Sequence, residues 1–116
     1  MDERQTRVGK NEAVFRAVNE RIEDLNQAFA VVTETFQVVC ECADSACIKQ
    51  ISIAIETYER VRSDATLFIV APGHETADTE DIIEKHDDYS VVRKHAGLPQ
   101  RLAEQTDPRR PNRSGD

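Results

Sequence analysis

The chain has 116 residues and a mass of 13.1 kDa, room for one small core and none for a second. Its 22 acidic and 15 basic residues leave a net charge of -7, which argues against a general grip on nucleic acid or anionic lipid, since both need a positive surface. No apolar run approaches the roughly 20 residues of a membrane span, and the opening MDERQTRVGK lacks the apolar stretch of a secretory signal, so the expected setting is cytoplasmic.

Residues 1–10 are polar and contain Gly9, which predicts a disordered N-terminus. A single α+β domain is expected over 11–106. It opens with a helix over about 11–30, because Phe15, Val18, Ile22, Leu25 and Phe29 recur at steps of three and four among polar residues. Asn11 suits the N-cap, and Glu12 suits the first turn. The stripe is expected to pack on the protein's own sheet, with a coiled-coil seam in a dimer or with a docked partner helix as the competing reading. Phe36 to Cys42 and Cys47 to Ile55 read as the two strands of a β-hairpin around the turn formers Asp44 and Ser45.

A short helix follows over 56–64, then a third strand over 66–71 that Pro72-Gly73 stops. Residues 78–86 read as a second short helix with Ile82 and Ile83 inward, 89–94 as a fourth strand, and Leu98, Leu102 and Ala103 as a last helix. The small sheet is expected to be mainly antiparallel and covered by the first helix. The end, over 107–116, has no apolar side chain and reads as a disordered, solvated tail carrying Arg109, Arg110 and Arg113.

All three cysteines fall within eight residues, Cys40-Glu41-Cys42 and Cys47. That clustering suits a metal or a reactive thiol better than a stapled secreted fold. In a strand, residues two apart face the same way about 6.6 Å apart, and two thiolates on one tetrahedral zinc sit about 3.8 Å apart, a gap their side chains can lean across. The turn at Asp44 and Ser45 returns Cys47 to the same tip. A fourth ligand is needed, and His74 after the Pro72-Gly73 turn is the candidate, with Glu75 and His86 in reserve and His95 read as a surface residue. The site would be a closed Cys3His zinc site of Cys40, Cys42, Cys47 and His74. The competing readings are reactive thiols and small core side chains.

The chain has no deaminase signature, no Gly-rich phosphate loop and no His-Glu-x-x-His. The acidic pairs Glu80-Asp81 and Asp87-Asp88 read as solvated. No catalytic activity is expected.

The stretch from about Asn11 to Arg109 resembles a family of small, largely uncharacterised actinobacterial proteins. The resemblance lies in Val18-Asn19-Glu20-Arg21-Ile22, Cys40-Glu41-Cys42 with Cys47, Tyr58-Glu59-Arg60-Val61-Arg62, Pro72-Gly73-His74-Glu75, Tyr89-Ser90-Val91-Val92-Arg93-Lys94 and Thr106-Asp107-Pro108-Arg109. It implies that these motifs form one unit and brings no activity with it. The family carries a Thr and Glu capping box at the second helix where this chain has Ala54 and Thr57, which implies a weaker helix start here. The sequence therefore suggests a zinc-stabilised module that binds another protein, as a monomer or homodimer. A thiol-based redox sensor using Cys40, Cys42 and Cys47 is the alternative.

Overall fold

The computed structural model describes residues 3–29 and 35–109. Its first element, α1 (Glu3–Phe29), starts eight residues before the apolar stripe predicts. The expected disordered start thus gives way to helix from Glu3, and the reason is packing at its N-terminal end. Val8 is buried, and Gly9 lets α1 approach the last helix closely: a Cβ there would lie 2.9 Å from Leu102. Asn11 is therefore no N-cap, and Glu12 lies inside the helix and not in its first turn.

The inward face of α1 also differs from the expected one. Val8, Glu12, Arg16, Asn19 and Glu23 are buried at steps of three and four, whereas Val18 and Leu25 from the predicted stripe are 41% and 52% exposed. Ile22 is the stripe residue that reaches the core, and the side chain of Phe29 lies outside the described residues. A polar face can turn inward because most of its polar atoms find partners in the rest of the fold, although Glu12 Oε2 and Arg16 Nε do not. Arg16 donates to the carbonyls of Ala65 (2.6 Å) and Ala103 (2.7 Å), and its guanidinium lies 4.3 Å from the Phe68 ring centroid. Glu12 accepts from Lys94 at 2.5 Å.

Strands β1 (Thr35–Val39) and β2 (Gln50–Ala54) form the expected antiparallel hairpin, with Phe36 opposite Ile53 and Val38 opposite Ile51. These four are the buried side chains of the pair, the alternation of a half-covered sheet. Helix α2 (Ile55–Arg62) follows directly, and its N-cap Ala54 makes no side-chain capping bond. Its Tyr58 meets Phe36 edge to face at 5.2 Å.

A second antiparallel sheet has the order β3-β5-β4, with β3 at Leu67–Val70, β4 at Glu80–Lys85 and β5 at Ser90–Lys94. β3 is buried throughout, and in the central β5 only Arg93 is exposed. The element read as a short helix over 78–86 is instead the edge strand β4. It pairs with β5 from Glu80 to Lys85 and slips register between Ile82 and Glu84. That bulge leaves Ile82 and Ile83 about 40% exposed.

Helix α3 (Leu98–Gln105) closes the fold after Gly97, whose φ of +100° favours glycine. Arg109 is exposed, as expected, but it is not free: its guanidinium donates to Glu20 at 2.5 Å and to Glu59 at 2.7 Å. Arg110 and Arg113 lie outside the described residues. The architecture is α+β, and no described helix is long and apolar enough to cross a membrane.

Candidate metal centre

The cysteines sit where the hairpin loosens. Val39 opposite Gln50 is the last ladder pair, and the Cys40 N–H still donates to the Lys49 carbonyl (3.0 Å). The chain then moves onto the other sheet, as the Glu41 N–H donates to the Ile69 carbonyl of β3 (2.8 Å). The Glu41 side chain is fully buried. One carboxylate oxygen accepts from the Ile69 N–H (3.0 Å) and Arg62 Nη2 (3.2 Å), the other from Asn19 Nδ2 (2.7 Å). A buried carboxylate is tolerable only with such compensation.

Past the buried Cys42, an Asx turn reverses the chain. Asp44 Oδ1 accepts from the Ala46 N–H (2.9 Å), and the Asp44 carbonyl accepts from the Cys47 N–H (3.0 Å). Cys47 is thereby returned, half-buried, toward Cys40 and Cys42. On the facing loop, Pro72 and Gly73 occupy the central positions of a turn closed by the His74 N–H on the Ala71 carbonyl (2.9 Å). Gly73 has φ of +83°, as the third position of a type II turn requires. Ala71 serves both sides, because its N–H also points at Cys40 Sγ (3.1 Å).

The expected set comes together. One ligand atom each from Cys40, Cys42, Cys47 and His74 lies within 4.8 Å of the others, close enough to bind a metal ion. His74 Nδ1 is 3.6 Å from both Cys40 Sγ and Cys47 Sγ. Zn–S bonds of about 2.3 Å and Zn–N bonds of about 2.0 Å at tetrahedral angles give an S to N edge of about 3.5 Å. Three soft sulfurs and one imidazole form the donor set of a closed structural site. A shallow cleft of about 330 Å³, lined by Cys42, Ala43, Asp44, Gly73, His74 and Thr76, gives access from solvent.

Burial pushes the Cys40 thiol up, against the Ala71 N–H, which favours the thiolate; the neighbouring cysteines add to the rise. Burial likewise raises Cys42. A bound cation reverses this preference by stabilising thiolate directly. The reserve ligands are not part of the cluster. His86 bonds Glu84 (3.0 Å) and stacks on Tyr89 at 4.5 Å, while His95, read as a surface residue, bonds Asp81 (3.2 Å). Glu75 adjoins His74 but contributes no atom to the cluster.

The residues that sequence reasoning missed are those behind the ligands: Glu41, Asn19 and Asn11. Asn11 Nδ2 donates to the Ala43 carbonyl (2.9 Å). The available signal was a carboxylate between two strand cysteines, facing away from them. Comparison with known protein families, curated proteins and solved structures finds no match for this chain.

Proposed function

We propose that this protein is a small zinc-stabilised module of the cytoplasm that acts by binding another protein in a regulatory or scaffolding role, without catalysis of its own. The convergence of three sulfurs and one imidazole nitrogen within 4.8 Å carries the reading. Four protein ligands complete a tetrahedral zinc and leave no position for substrate, so the metal's contribution is to folding. A chain of 116 residues with a modest core gains much from such a staple. The redox-sensor alternative is less well supported, since burial raises the Cys40 and Cys42 thiols and fast oxidation needs thiolate.

Mass spectrometry under native conditions, with zinc added and then chelated, tests the reading. One zinc should bind per chain, and its removal should lower the melting temperature by many degrees. Unchanged stability after complete removal would overturn a structural role.

A further inference from the structure

The inward polar face of α1 does more than cover the sheets. Asn19 uses its carboxamide as a neighbouring strand would use its backbone: Oδ1 accepts from the Val39 N–H (2.7 Å) and Nδ2 donates to the Val39 carbonyl (2.8 Å). The same Nδ2 donates to Glu41 Oε2 (2.7 Å). A carboxamide carries a donor and an acceptor side by side without depending on a titrating proton.

Three successive residues are thus fixed in three directions. Val39 is tied to α1, Cys40 to Lys49 of the hairpin, and Glu41 to Ile69 of β3. Cys40 and Cys42 flank the buried Glu41, so their Cα positions are set before any metal arrives. Farther along, Asn11 holds the Ala43 carbonyl. The docking face of α1 is mostly polar among the described residues: Glu12, Arg16, Asn19 and Glu23 are buried beside Val8, with Ile22 partly buried against the core. The helix needs the cysteine segment in place as much as the segment needs the helix.

We propose that Asn19 and Glu41 are positioning residues of the metal centre, and that through their paired hydrogen bonds metal binding and the docking of α1 stabilise one another. This rests on the metal-binding reading above. Groups behind the ligands commonly change metal affinity by about 10- to 100-fold, and thermodynamic reciprocity requires metal to stabilise the docked helix by the same factor.

The test uses cobalt(II) as the probe, since its tetrahedral thiolate complexes absorb visibly. The full chain, Asn19→Ala and Ile53→Val are titrated and melted in parallel. Ile53 is buried at the end of the hairpin away from the cysteines, so its variant loses stability without touching the Asn19 contacts. Asn19→Ala should bind one cobalt at least tenfold more weakly, with an altered spectrum, while Ile53→Val keeps the parent's affinity and spectrum.

Equal affinity for Asn19→Ala and the parent would overturn the proposal. So would an equal loss in both variants, which would mark a general effect of stability. A parent chain that takes up no cobalt would instead remove the metal reading itself, and this inference with it. Hydrogen exchange on the unaltered chain supplies a second readout that no folding failure can spoil. Metal should slow the amides of α1 around Asn19 as well as those of 40–47. Protection confined to 40–47 would show that the helix is uncoupled.

Discussion

Glu12→Gln should make the protein more stable at neutral pH and flatten the dependence of its stability on pH. Glu12 is fully buried, and Lys94 Nζ serves it (2.5 Å) together with Glu80 (2.8 Å) and Thr79 (3.2 Å). One ammonium faces two carboxylates, so burial first and the Glu80 charge second push the Glu12 carboxyl up from 4.5 to about 9, with Lys94 only partly opposing them. The folded chain therefore keeps a proton that the unfolded chain releases above 4.5. This contribution to stability is complete below pH 4.5, declines as pH rises, and is gone once pH passes about 9.

Inside that window the slope is about 1.4 kcal/mol per pH unit, so from pH 6 to pH 8 the parent loses about 2.8 kcal/mol through Glu12 alone. Gln imitates the protonated acid and carries no titrating proton. The Glu23 carboxyl, raised to about 7 by burial and its bond to Glu59, adds a slope of the same sign. Its share cancels in the difference between parent and variant, since eleven residues of helix separate the two sites by about 16 Å. Urea unfolding of both proteins at pH 6 and pH 8, each with the same metal bound, measures that difference. The advantage of Glu12→Gln should grow by about 2.8 kcal/mol over the interval. A constant difference, or a variant less stable than the parent at pH 8, would refute the shared-proton account.

His74→Ala should lose zinc about as readily as Cys47→Ala, measured by competition with a chelator; undiminished affinity would transfer the fourth position to Glu75 or to water. Apparent metal affinity should rise with pH, by up to about tenfold per unit for each thiol that must release its proton, because burial holds Cys40 and Cys42 protonated in the metal-free chain. Affinity that does not change between pH 6 and pH 7.5 would exclude thiolate ligation. Leu25→Asp should leave folding stability within about 0.5 kcal/mol, as its side chain is half exposed, while Phe68→Ala should cost about 3–5 kcal/mol; a Leu25→Asp chain that fails to fold would show the predicted stripe to be core after all.

The ligand set was legible because its signals are local. Cys40 and Cys42 at a two-residue step, a turn before Cys47, and Pro72-Gly73 ahead of His74 each fix a direction within a few residues. The hairpin was legible for the same reason, since Ile51 and Ile53 alternate with polar residues. The inward face of α1 was not. Hydropathy at helical spacing picked Val18 and Leu25, while the face that docks is built from groups whose partners lie 20 to 87 residues away, among them Asn19 with Val39 and Arg16 with Ala103.

Strand β4 was misread because adjacent Ile82 and Ile83 among charged residues suit one helix face as well as a strand. What makes this segment a strand is the free edge of β5, which offers hydrogen bonds that no local pattern reveals. Arg109 illustrates the same limit: nothing beside it in sequence announces Glu20 or Glu59.

Metal analysis of the protein purified without chelator, by inductively coupled plasma mass spectrometry against amino-acid analysis for chain concentration, tests the central claim most directly. One equivalent of zinc per chain in the parent, falling to well under one in Cys40→Ser, is the expected result. Less than a tenth of an equivalent of any transition metal in the parent, from cells supplied with zinc, would contradict a metal centre at Cys40, Cys42, Cys47 and His74.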